Sequence, residues 1–300
     1  MNDIEFNQQE TKARQFFADG RIIDALDVLD DLYNESQTFA LNQFVTEVLI
    51  ADGQFQLAEM IMDEFVDEYL ETKPEAYMAV LMHNRHFLKA REFSLETAVS
   101  AALLSEIETA EAAYAEDMRE TIQTIQRHFY HLSNEDVAQQ AHRLEEAEKL
   151  PYEAYVHGAQ YLLVDPYIHP ITRATIIDRL RRLAVNQPVK SDWLQDQQIT
   201  FVPAKLVAID DTVEFKAIKQ ALEKYQNFDD QQLETLLATV RLALMVAYPA
   251  LDRVVKDPDQ WAQAVLAEMV GEEYANEDPT QRALRRELQE KSLALLMWAP

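Results

Sequence analysis

The segment GRIIDA (Gly20–Ala25) returns 33 residues later as GQFQLA (Gly53–Ala58). In each copy an apolar run precedes the Gly and an amphipathic run follows the Ala. A Gly after an apolar helix takes the left-handed conformation that closes it, at no steric cost. A small Ala five residues on lets the next helix lie close against the first. A recurrence near 33 residues matches a unit of two helices that buries its apolar face only by stacking on its neighbours.

Outward from these two signatures, helical periodicity places helices over 5–18 and 22–34, and again over 38–51 and 55–70. Gly20 and Gly53 close the first helix of each pair. A third pair opens at Pro74, which suits a first helical turn, and its first helix covers 74–83. Asn84-Arg85 stands where Gly stood, Asn tolerating the left-handed region better than most residues. Ala90 then holds the small position. In a looser fourth pair, 107–131 reads as one long helix, Ser133-Asn134 as its turn, and Ala138 as the small contact. About 14 extra residues near 93–106 fall between the third and fourth units, as the spacing from Ala90 to Ala138 requires.

This register resembles the tetratricopeptide repeat. The matching residues are Ala13, Phe16, Gly20 and Ala25, then Leu49, Gly53 and Ala58, then Pro74, Met78, Leu81 and Ala90. The early Trp of that family is missing, and Gly is replaced in units three and four. The resemblance covers about residues 5–98 and, loosely, 107–148. It implies a right-handed superhelix of helix pairs with a concave groove lined by the first helix of each pair. Groove positions carried over from the family are Arg14 and Phe17, then Gln43, Phe44, Glu47 and Ile50, then Glu75, Ala79, Met82 and His83.

Pro151 begins a different half. Helical patterns cover 151–164 and 171–184, separated by Asp165-Pro166 and His169-Pro170, which interrupt a helix because a residue before Pro avoids the helical region. Residues 188–203 are β-branched and aromatic around a polar Asp196-Gln197 turn, the signature of a short hairpin. A lone hairpin is marginal in water, so it should lie on helices. Further helices follow over 212–225, 230–248, 258–274 and 279–298. This succession resembles a family of Firmicutes repeat proteins with such a C-terminal module, a likeness that implies no activity. The expectation is therefore an all-α protein, with a tetratricopeptide-like domain over 1–150 and a helical domain with one short β-hairpin over 151–300.

Composition sets the outer limits. Four Gly and ten Pro in 300 residues leave too few turns for extended sheet, and 48% hydrophobic content is ample for a core. Net charge is −26, and residues 1–150 carry 31 acidic against 11 basic side chains. Such a surface repels phosphate backbones and anionic membranes, so neither nucleic acid nor membrane is expected as a partner. With no Cys, thiol catalysis and cysteine zinc sites are excluded. The N-terminus lacks a basic, then apolar, leader, and no apolar run reaches the length of a membrane span, so a cytoplasmic protein is expected.

Phosphate loops, nucleophile elbows and cofactor fingerprints are all missing from the sequence. Two histidine pairs remain, His83/His86 and His128/His131, each with the spacing that shares a helix face. A metal at the second pair would need further ligands such as Glu135 and His142. Two basic clusters, Arg179/Arg181/Arg182 and Arg282/Arg285/Arg286, read either as internal ion pairs or as seats for an acidic segment. The apolar tail Leu293–Trp298 reads as a cap on the helical array or as a homodimer contact. The expected function is non-catalytic binding of a protein or peptide in the groove, with no cofactor and no metal. Alternatives are a metal-dependent enzyme built on a histidine pair, and an acidic binder of basic proteins.

Overall fold

The computed structural model describes residues 2–96, 100–225, 229–269 and 271–296. The chain is all-α with one short antiparallel hairpin, and it divides into two compact units, Met1–Arg119 and Glu120–Pro300.

The first unit holds α1 (Asp3–Ala18), α2 (Ile22–Glu35), α3 (Phe39–Ala51), α4 (Phe55–Met62), α5 (Val66–Thr72), α6 (Pro74–Asn84), α7 (Phe87–Leu95) and α8 (Ser100–Asp117). Gly20 and Gly53 are left-handed, at φ 73° and 79°. Each lies in a double-bonded helix stop. After α1, Gly20 N–H donates to Phe17 O at 3.0 Å and Arg21 N–H to Phe16 O at 2.8 Å. After α3, Gly53 N–H donates to Ile50 O at 3.0 Å and Gln54 N–H to Leu49 O at 2.9 Å. After α6 the same stop forms, with Arg85 N–H on Met82 O at 3.2 Å and His86 N–H on Leu81 O at 3.0 Å. Here the left-handed residue is Arg85, at φ 62°, and not Asn84. Asn84 stays helical because its amide is engaged elsewhere: it donates to Phe55 O at 2.9 Å and to Glu59 Oε2 at 2.8 Å.

Ala25, Ala58 and Ala90 are each fully buried, as the close approach of paired helices requires. Around them Leu29, Leu32, Val48, Met62, Leu81 and Leu88 are at most 1% exposed. Each such side chain contributes roughly 1.5–3 kcal/mol of burial. The second helix of the second pair departs from the expected continuous span over 55–70. A 3-10 turn at Asp63–Phe65 divides it into α4 and α5, where Phe65 leaves helical geometry at φ −135°, ψ 39°.

The second unit continues with α9 (Arg119–Tyr130), α10 (Val137–Ala147), α11 (Tyr152–Leu162), α12 (Pro170–Arg182), β1 (Val189–Asp192), β2 (Gln198–Phe201), α13 (Val213–Tyr225), α14 (Asp230–Met245), α15 (Pro258–Met269) and α16 (Pro279–Leu296). The expected single helix over 107–131 is instead α8 and α9, parted at Met118. Ala138, expected as a close contact, is exposed. The buried residues of α10 are Gln140 and Ala147, and on α9 Phe129 is fully buried and stacked on Tyr155 at 5.1 Å between centroids.

The hairpin pairs Val189 with Phe201 and Ser191 with Ile199. It rests on helical structure: Asp192 N–H donates to Leu163 O at 2.8 Å, and the Trp193 indole donates to Ala247 O at 2.7 Å. Among the described residues no helix is long and apolar enough to cross a membrane. The tail Leu293–Trp298, expected as a cap or homodimer contact, extends outside the residues whose side chains are described.

Candidate functional site

The three matching stops place α1, α3 and α6 in the same relation to the helices that follow them. Residues the same number of positions before each stop are then equivalent. Arg14, Glu47 and Ala79 form one such row, and all three are exposed. Phe17, Ile50 and Met82 form a second, and all three are half-buried. Gln43, half-buried, and Glu75, exposed, lie one turn before Glu47 and Ala79. Residues four and three apart share a helix face, so each helix presents one continuous stripe.

The groove residues do not all behave alike. Phe44 is 4% exposed and belongs to the packing between α1 and α3. Phe17 meets its ring edge-on at 6.0 Å, and the Arg14 guanidinium lies over it at 4.2 Å. Arg14 also bonds Glu10 at 2.7 Å, an exposed pair worth little by itself. His83 turns away toward the interhelical turn and stacks on Phe55 at 3.4 Å, beside a cleft of about 500 Å³ that includes Gln54 and Arg85. Glu47 and Glu75 have no ion-pair partner among the described residues.

Two polar seams join the helices, the first buried and the second centred on the buried Glu59 and running out to the exposed Asp63. In the first, Asn42 is fully buried; its Nδ2 donates to Tyr33 Oη at 2.7 Å and Ile61 O at 2.6 Å. Its Oδ1 accepts from Tyr69 Oη at 2.9 Å, and Thr46 Oγ1 lies 3.0 Å from the same hydroxyl. In the second, the Glu59 carboxylate receives Asn84, lies 2.9 Å from His86 Nδ1, and accepts from Lys89 Nζ at 2.8 Å. Lys89 also reaches Asp63 at 2.7 Å, and Tyr77 Oη donates to Asp63 Oδ1 at 2.5 Å. Burial alone would raise the Glu59 pKa, but the bonds from His86, Lys89 and Asn84 hold it down at about 2. Burial, reinforced by Glu64 and Asp63, pushes the Tyr33 and Tyr77 hydroxyls up, so both remain neutral donors.

The histidine pairs are dispersed by these contacts. His83 lies on Phe55 while His86 faces Glu59. His128 Nδ1 is 3.8 Å from Glu146, which Arg143 already holds at 2.6 Å, and His131 is exposed. Among the described residues no group of three or more His, Asp or Glu is placed to hold a metal ion. The basic clusters are internally paired. Arg179 bonds Glu148, while Arg181 and Arg182 share Asp178 at 2.8 and 3.1 Å. Arg285 bonds Glu277 and Glu268, Arg282 lies 3.5 Å from Glu277, and Arg286 bonds Glu273.

Both polar seams escape a reading of the sequence, because each polar side chain finds its partner on another helix. Their one local signal is position: Asn42 and Thr46 lie on the inner stripe of α3, among Leu41, Val45, Val48 and Leu49. Comparison with protein-family models finds no match, and comparisons with curated proteins and with solved structures find none either.

Proposed function

We propose that the first unit is a tetratricopeptide-like scaffold that binds an extended protein or peptide segment without catalysis. The observation that carries this reading is the repeated row Phe17, Ile50 and Met82, half-buried, alongside the exposed row Arg14, Glu47 and Ala79. Half-buried apolar groups at a fixed repeat suit alternate side chains of an extended ligand, and Met adapts its shape to them. The unpaired carboxylates of Glu47 and Glu75 beside this row favour a segment whose apolar residues are interspersed with Lys or Arg. The stiff polar seams under α3 and α4 hold the rows in place, which limits the ordering cost on the receptor side.

The experiment is site-specific photocrosslinking in the native cell. A benzophenone amino acid is placed at Glu47, at Ala79, and at the exposed Asp27 of α2 as a control. The same adduct from positions 47 and 79, missing from position 27 and removed by Ile50→Asp, is the expected result. No adduct at the first two positions, or equal labelling from the control, overturns the reading.

A further inference from the structure

In the second unit, the start of α12, the hairpin and α16 enclose a cleft of about 440 Å³, within the range of small-molecule sites. Arg173 lines it and differs from the paired arginines of its own helix. Its Nη2 donates to two backbone carbonyls, Asp165 O at 2.9 Å and Ile168 O at 3.4 Å. Among the described residues no carboxylate comes within 4 Å of its guanidinium. Among the described residues Nε, shut off from solvent, has no partner and Nη1 makes no bond. Carbonyls thus hold one arm of the fork, and no carboxylate among the described residues is paired with it. Burial pushes the Arg173 pKa down, and Asp192 and Asp165 offset this only in part.

Asp192 lines the same cleft. Gln198 Nε2 donates to its Oδ1 at 2.9 Å, while Oδ2 carries no bond among the described residues. The other charges are otherwise engaged or outward. Lys291 is held by Glu287 at 2.8 Å, and Glu290 is exposed at the rim. His169 accepts from Ile171 N–H at 3.3 Å, and burial, opposed by a bond to the Lys291 backbone, keeps its pKa low. Nη1 of Arg173 and Oδ2 of Asp192, neither bonded among the described residues, therefore belong to two opposite charges that line one cleft without forming an ion pair. A simple anion would face Asp192, and a simple cation would face Arg173. A molecule carrying both charges satisfies both groups at once. Trp193, Pro166 and Ile168 line the same cleft with apolar surface. The indole is pinned by its bond to Ala247 O.

We propose that this cleft binds a small zwitterion of the free amino-acid type, with Arg173 taking the carboxylate, Asp192 the ammonium, and Trp193 the side chain. The test is isothermal titration of the full chain with the twenty free L-amino acids, followed in parallel by tryptophan fluorescence. Saturable binding of one or more with apolar side chains is expected. The N-acetyl and the amide derivatives of the best ligand, each missing one charge, should each bind at least about tenfold more weakly. Arg173→Lys, which keeps the charge and loses the fork, and Asp192→Asn, which keeps the shape, should each weaken binding by a similar factor. Circular dichroism verifies that both variants are folded. No saturable binding by any amino acid overturns the proposal. So does equal affinity for the N-acetyl derivative, or unchanged affinity in both folded variants.

Discussion

The side-chain amide of Asn84 donates to the Glu59 carboxylate at 2.8 Å, tying the last residue of α6 to the middle of α4. Three donors converge on a carboxylate that is 5% exposed, and together they hold Glu59 ionised against its burial. Its folded pKa of about 2 lies below the ordinary 4.5. The unfolded chain therefore binds the proton first, and the contribution of Glu59 is complete above pH 4.5 and fades as pH falls toward 2. At neutral pH it is on the order of 3 kcal/mol. Urea unfolding of Glu59→Gln should show a deficit of about that size at pH 7. The deficit should shrink steadily on acidification below pH 4.5. A deficit independent of pH would remove the charge from the explanation.

Two glycines are fixed by different physics, and one substitution separates them. At Gly53 nothing lies within 4 Å of an added Cβ, so Gly53→Ala carries only the backbone strain of φ 79°. The expected loss is about 1 kcal/mol. At Gly158, inside α11, the backbone is ordinary, but an added Cβ would stand 2.7 Å from Phe129 Cδ1. Helix propensity favours Gly158→Ala by roughly 1 kcal/mol, while overpacking against a fully buried ring costs about 1–3 kcal/mol, for a net loss of up to about 2 kcal/mol. The distinguishing measurement is a cycle with Phe129→Leu. Trimming the ring should cost at least about 1 kcal/mol less in the Gly158→Ala background than in the native chain. Strict additivity would rule out the steric account.

These particulars also mark how far the sequence carries. Gly20 and Gly53 are legible because a helix stop is a local event, set by the conformational freedom of one residue. Arg85 is not, since Asn84 has the better left-handed propensity and is held helical by Phe55 and Glu59, over 20 residues away in sequence. The hairpin is legible from its β-branched residues, while its attachment to Leu163 and Ala247 depends on tertiary contacts. The break between α8 and α9 carries neither Gly nor Pro to announce it. At the candidate groove, one apolar period serves two purposes: Phe44 faces the packing of α1 on α3, while Phe17, Ile50 and Met82 remain half open. An apolar residue at helical spacing looks the same in either place.

The Arg285–Glu277 pair in the second unit gives the sharpest energetic test. Both side chains are 2% exposed, and two bonds join them at 2.8 and 3.0 Å, with Glu268 adding a third contact to Arg285 at 2.6 Å. Burial alone would favour loss of the Arg285 proton, but Glu277 and Glu268 together raise its pKa above the ordinary guanidinium value. Arg285→Met leaves the Glu277 carboxylate buried with Arg282 as its remaining cation, at 3.5 Å. A buried charge left with no partner costs about 3–5 kcal/mol, and Arg282 at 3.5 Å keeps the expected loss toward the lower end of that range. Adding Glu277→Leu removes the stranded charge and replaces it with apolar volume. The double variant should therefore be more stable than Arg285→Met alone, although it carries one more substitution at a buried site. Chemical denaturation of the four proteins in the cycle gives the coupling directly. If the double variant falls by the sum of the singles, desolvation of the pair is not what the interior of α16 is balancing.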